Sequence, residues 1–156
     1  LLLVTCAERG GLIAILSRKV CVGDVPDELN IKTEAASYVN ACLLHSTRPG
    51  VTGTELYQVA ANAYANNGFA DEINRHHQGG AAGYRTRDWV AHPASGEVVQ
   101  DDQAFAWNPS ITGTKVEETC ILTANGIEIL TASTDFPTIT TVIDGQTYSS
   151  PGVLSI

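Results

Sequence analysis

The sequence predicts an α+β domain, and three observations carry that prediction. Apolar strand-like runs open the chain, two helical periods follow, and short β-type runs punctuated by Gly, Pro and Asn fill the rest. The opening runs are LLLVTC and GLIAILSRKVCVG, separated by Glu8, Arg9, Gly10 and Gly11, which read as a hairpin turn. After Asp24 and Pro26, DELNIKTEAASYVNACLLHS places Ala36, Val39, Cys42 and Leu43 on one helical face, and Pro49 with Gly50 stops the helix. Thr52 and Glu55 form a capping box, since hydroxyl and carboxylate can satisfy each other's backbone donors at a helix start. The second helix carries Leu56, Val59, Ala60, Ala63 and Tyr64 inward and ends at Asn66, Asn67 and Gly68. From His76 onward no long helical period returns. KVEETCILT and IEILT form one expected hairpin, and TITTVIDGQTYSS a second that turns at Asp144 and Gly145.

With 156 residues, 44% of them hydrophobic, the chain can bury one core and is short for two domains. A net charge of −8 gives no positive field to gather phosphate backbones or anionic lipid, which excludes nucleic acid and membrane surfaces as partners. No apolar run approaches the roughly 20 residues of a membrane span, and LLLVTC lacks the length and basic flank of a signal peptide. Cys6, Cys21, Cys42 and Cys120 stand singly with no C-x-x-C pair, so buried thiols in a reducing cytoplasm are expected. The chain contains no methionine and opens directly on a strand-like run, so preceding residues are expected to belong to the same fold.

The densest polar stretch, residues 76–89, reads HHQGGAAGYRTRDW. Adjacent histidines on a strand point to opposite faces, so His76 and His77 share a pocket only if the backbone bends, which Gly79 and Gly80 permit. A metal needs three or four ligands, and His76 or His77, Asp88 and a distant Glu117 or Glu118 make a poor set. A phosphate cradle needs a strand, a Gly-rich loop and a helix, whereas these glycines lie between β-type pieces. Two readings stay open on the residues alone: a hydrolase pocket, or a polar turn whose glycines allow close sheet packing.

The ordered set HHQGGAAGY, FAWNPSITGTKVEETCILTANGIEILT and the upstream RPGVTGTELYQVAANAYANNGF resembles the C-terminal catalytic half of the pita-bread metallopeptidases: methionine aminopeptidase, prolidase, aminopeptidase P and creatinase. The resemblance covers nearly the whole chain. It implies a curved antiparallel sheet with helices on its outer face, residues 1–156 being a partial domain of the C-terminal catalytic type whose N-terminal part is missing. The family's leading motif histidine falls on His76. Its metal-binding positions fall near Val4 and Ile15 and on Gly80, Asn108 and Glu117, of which only Glu117 is kept. A further family histidine falls on Arg87.

A dinuclear metal centre is therefore not expected, and no cofactor is implied. Within the family creatinase hydrolyses a small amidino compound without metal, using histidine and glutamate. By that resemblance the expected function is a divergent, metal-independent hydrolase acting on a small C–N bonded substrate such as a dipeptide, amide or amidino compound. His76 or His77 would move the proton and Glu117 would orient that histidine or the substrate. Arg85 and Arg87 would hold a substrate carboxylate, Trp107 would supply an apolar wall, and Asn108 an amide. A small-molecule or short-peptide substrate and a homodimer are the implied partners. The rival expectation is a non-catalytic pseudo-peptidase that binds or scaffolds.

Overall fold

The computed structural model describes all 156 residues. Strands β1 (Leu2–Arg9) and β2 (Leu12–Cys21) form a hairpin in the register Arg9 opposite Leu12, turning through Gly10 and Gly11. Both glycines have positive φ, 61° and 83°, a conformation side chains resist, so the Gly-Gly pair sets the turn. Helix α1 (Asp27–Ser46) and helix α2 (Gly53–Asn66) follow, the latter opened by the expected capping box. There Thr52 N donates to Glu55 Oε2 at 2.7 Å and Glu55 N to Thr52 Oγ1 at 3.2 Å. A 3-10 turn over Ala70–Asn74 leads to β3 (Gly79–Ala81).

The remaining strands are β4 (Ala104–Trp107), β5 (Ser110–Ile111), β6 (Thr114–Lys115), β7 (Glu118–Thr123), β8 (Gly126–Ile129), β9 (Thr138–Ile143), β10 (Gln146–Pro151) and β11 (Val153–Ser155). Strands β3, β4, β7 and β8 make a four-stranded antiparallel sheet, and the β7/β8 and β9/β10 hairpins turn where the sequence places them. The helices pack on one face of this sheet. Val39 and Leu43 of α1, with Leu56 and Tyr64 of α2, meet Phe105, Trp107, Cys120 and Leu122 in the main core. On the other side β2 crosses the sheet: Ile15 N donates to Thr119 Oγ1 at 2.7 Å, and Ser17 N to the Glu117 carbonyl at 3.0 Å.

Two expectations are corrected. The sheets are not wholly antiparallel, because β11 pairs with β2 in parallel. Strand β1 pairs with β2 alone and is exposed at all eight positions. Cys6 on β1 is therefore exposed, Cys21 and Cys42 are half-buried, and only Cys120 is fully enclosed; all four are free thiols. No helix is long and apolar enough to cross a membrane.

Candidate functional site

The site is built around Glu117, at the step from β6 into β7. Trp107 pairs with Glu118 across the β4/β7 ladder, so the next positions outward, Asn108 and Glu117, face each other on adjacent strands. Alternation aims Trp107 the opposite way, into the helices. It is fully buried, stacks on Phe105 at 5.5 Å between centroids, and donates Nε1–H to Thr47 Oγ1 at 3.0 Å. Trp107 is therefore a core residue and walls no pocket.

The Glu117 carboxylate is 2% exposed and held from three sides. Ser17 Oγ donates to Oε2 at 2.7 Å, Lys115 Nζ approaches the same oxygen at 3.1 Å, and Arg87 Nη2 donates to Oε1 at 3.0 Å. Burial pushes the carboxyl up, but the Ser17 hydroxyl and the Lys115 and Arg87 charges outweigh it and hold Glu117 below the ordinary carboxylate range. It is a fixed anion. The expected partnership with histidine is not made, since no hydrogen bond joins Glu117 to His76 or His77 and its acceptors are committed elsewhere.

The two histidines lie near this cluster, their rings stacked at 4.4 Å. His76 Nδ1 lies 2.6 Å from the His77 carbonyl oxygen, and Gly79 N–H donates to His77 Nδ1 at 3.2 Å. Burial holds His76 below its usual range. Desolvation, then His76, Arg87 and Lys115, brings His77 down to about 4, so both rings are neutral at pH 7. His76 and Lys115 line an open groove of about 390 Å³ with Leu2, Glu72, Arg75 and Ser110. His77 is exposed, as is Arg85, whose side chain joins no ion pair; only Arg87 of the two expected arginines reaches the cluster.

Two buried polar atoms remain without partners here, Arg87 Nε and Asn108 Oδ1. Asn108 itself is 1% exposed and uses its backbone N–H on the Gln78 carbonyl at 3.0 Å. Gly80 has no room for any side chain, because a Cβ there would lie 2.1 Å from the Trp89 carbonyl oxygen. The Asp88–Ala91 segment folds onto β3 through Asp88 N to Ala81 O at 2.8 Å and Ala91 N to Gly79 O at 2.9 Å. The positions that the resemblance marks for metal thus hold two apolar residues, a glycine packed on backbone, an amide, and a carboxylate already paired with two cations. They do not fit a divalent ion, and no three His, Cys, Asp or Glu side chains gather closely enough to hold one.

The sequence reading passed over Lys115 and Ser17. Lys115 had a signal, since residues 115 and 117 of an extended K-V-E run share a face. Ser17 had none, lying 100 positions from its partner.

No family model matches the chain. It is 25% identical over 142 residues to an Xaa-Pro dipeptidase of Pyrococcus horikoshii, covering 80% of this chain and 40% of that protein. Among solved structures it resembles an X-Pro aminopeptidase of Thermotoga maritima, with TM-score 0.78 and 19% identity over 99% of this chain and 41% of the other. It also resembles the N-terminal domain of the FACT complex subunit SPT16 of chickpea, with TM-score 0.69 and 12% identity over 84% of this chain and 34% of that one. The chain spans about two fifths of the dipeptidase, and the structural likenesses carry the fold alone. Helices stacked on one face of the β3-β4-β7-β8 sheet, with β2 laid across the other, define a pita-bread α+β domain. The chain thus has the pita-bread fold, and its sequence is similar to that of an Xaa-Pro dipeptidase.

Proposed function

We propose that the chain carries the reaction groove of a peptidase-like hydrolase that cleaves a small C–N bonded substrate, a dipeptide, amide or amidino compound, without metal. One observation carries the reading: His76 lines the groove beside Lys115 with its Nδ1 tied to the His77 carbonyl. In a neutral ring that bond places the proton on Nδ1 and leaves Nε2 as the free base. A volume of about 390 Å³ suits a small ligand. Water oxygen adds to the substrate carbon, its proton passes through His76 Nε2 to the leaving nitrogen, and the C–N bond breaks. Metal independence is supported by Arg87 and Lys115 on Glu117 and by the backbone packed against Gly80. Four free thiols support a cytoplasmic setting. Turnover of a panel of dipeptides, amides and amidino compounds by the full-length protein tests the proposal. His76→Ala is expected to lower it about 10² to 10⁴-fold, with chelators having no effect. Turnover that requires added Mn²⁺, Co²⁺, Zn²⁺ or Fe²⁺, or that survives His76→Ala, refutes it.

A second reading, a non-catalytic pseudo-peptidase that binds or scaffolds, is favoured by the filled centre of the site, where Glu117 and Asn108 are 2% and 1% exposed. The fold likeness to a subunit of the FACT complex is compatible with it. Absence of turnover across the panel, with groove binding unaffected by His76→Ala, selects this reading.

A further inference from the structure

We propose that Lys115, backed by Arg87, is the electrophilic group of this groove, a tethered ammonium–guanidinium pair that takes a negative oxygen of the ligand, with Glu117 as the residue that positions both. The inference rests on the hydrolase reading for its chemistry and on the cluster's charge for its location. Two cations share one carboxylate, the histidines beside them are neutral at pH 7, and the cluster keeps a net charge of +1 in a chain whose total is −8. From Arg75 to Arg87 there are three arginines and no acid. Glu72, the acid that lines the groove, is occupied by the Thr112 backbone N–H and hydroxyl, each at 3.1 Å, and by Arg75 at 3.6 Å. Lys115 and Arg87 each retain 12% side-chain exposure, so neither is sealed from a ligand. Arg87 Nε–H is a buried donor with no acceptor, and opposite it in charge character Asn108 Oδ1 is a buried acceptor with no donor. Unpaired buried groups of both kinds are costly, and a ligand oxygen or N–H can pair with them. Charge-assisted donors held by a carboxylate stabilise developing negative charge on a carbonyl oxygen as a Lewis-acidic metal otherwise does. The carboxylate here holds two organic cations in place of an inorganic one.

Inorganic phosphate, a tetrahedral oxyanion, is the probe, titrated into the full-length protein at low ionic strength and followed by calorimetry and by thermal shift. Saturable one-to-one binding is expected. Lys115→Met should weaken it about tenfold or more, and Arg87→Lys, which keeps the charge and the fold but loses the guanidinium fork, should weaken it severalfold. Arg9→Met, at the exposed β1/β2 turn, should bind as the wild type does. Equal weakening by all three, or none by Lys115→Met, overturns the inference. So does a Mn²⁺-induced rise in thermal midpoint that Glu117→Gln abolishes, because a divalent ion would then occupy the place assigned to the two side chains. Phosphate binding lost in Lys115→Met alongside absent turnover sinks the hydrolase reading and keeps the anion site. Turnover present with phosphate binding indifferent to Lys115 does the reverse.

Discussion

Glu117 and Glu118 are neighbours in sequence, both buried and both paired with arginine, yet their surroundings drive them in opposite directions. Glu118 faces one cation, Arg18 at 3.0 Å, and the Thr131 hydroxyl. Burial dominates, and its carboxyl is raised above the ordinary range. At Glu117 a hydroxyl and two cations overcome a comparable burial, and the carboxyl is lowered. One additional cation separates a structural ion pair from a charged site. The surroundings differ as well: Arg18 lies over the Phe136 ring at 5.4 Å, while Lys115, the surplus cation at Glu117, lines the groove with His76. A buried acid is thus informative only together with the number of donors that meet it.

Removing each carboxylate breaks this comparison most sharply. Glu117→Ala leaves Arg87 and Lys115 without counter-charge, and the expected loss is about 3–5 kcal/mol in urea unfolding, the range for an orphaned buried charge. Glu118→Ala should cost less, because Arg18 keeps two backbone acceptors, the Ser17 and Thr131 carbonyls, both at 2.8 Å. A larger loss for Glu118→Ala would mean that the Arg18 pair, and not the Glu117 cluster, is the electrostatic centre of the sheet.

The next effect in size concerns the division between groove and core. Gly80→Ala is expected to destabilise by about 1–3 kcal/mol, since the new methyl would meet the Trp89 carbonyl at 2.1 Å and the backbone must shift. Trp107→Phe removes the Nε1–H bond to Thr47 and some packing, an expected loss of about 1–2 kcal/mol by thermal denaturation. Phosphate affinity should be unchanged by it. A drop in affinity would place Trp107 in the site after all.

The parts legible in the sequence are those encoded locally. Helix α1 spans the run read as helical, α2 begins at the Thr52–Glu55 box, and the turns at Gly10, Asn125 and Asp144 sit where small or polar residues permit them. The site was legible in part. His76, Asn108 and Glu117 were reached through the ordered motifs of a resemblance, and Lys115 was within reach of strand alternation. Trp107 was misread because it adjoins Asn108 in sequence, although alternation sends adjacent strand residues to opposite faces. Arg85 and Arg87 lie in irregular backbone, where spacing carries no facing rule, and the structure separates them. The exposure of β1 was not legible either. LLLVTC has the composition of a buried strand, and composition does not say whether a second neighbour is present to cover it.

The smallest predicted effect is the sharpest test of the contrast, because it depends on signs. His77 titrates near 4 in the folded chain against an ordinary 6.5, so between those values the unfolded chain binds a proton that the folded chain refuses. Stability therefore falls as pH drops from 6.5 toward 4. Glu117, lowered when folded, adds to that loss once pH falls through the ordinary carboxylate value of 4.5. Glu118, raised when folded, opposes it, since above 4.5 the folded chain holds a proton that the unfolded chain releases. The thermal midpoint across pH 4 to 6.5 should then decline less steeply in His77→Gln than in the wild type, by a modest amount because the ring is exposed and solvent screens it. In Glu118→Gln the decline should be steeper, because the opposing proton uptake is gone. Parallel curves for all three proteins would show that neither group's proton affinity differs between folded and unfolded chains, and the electrostatic contrast between the Glu117 and Glu118 surroundings would fail with them.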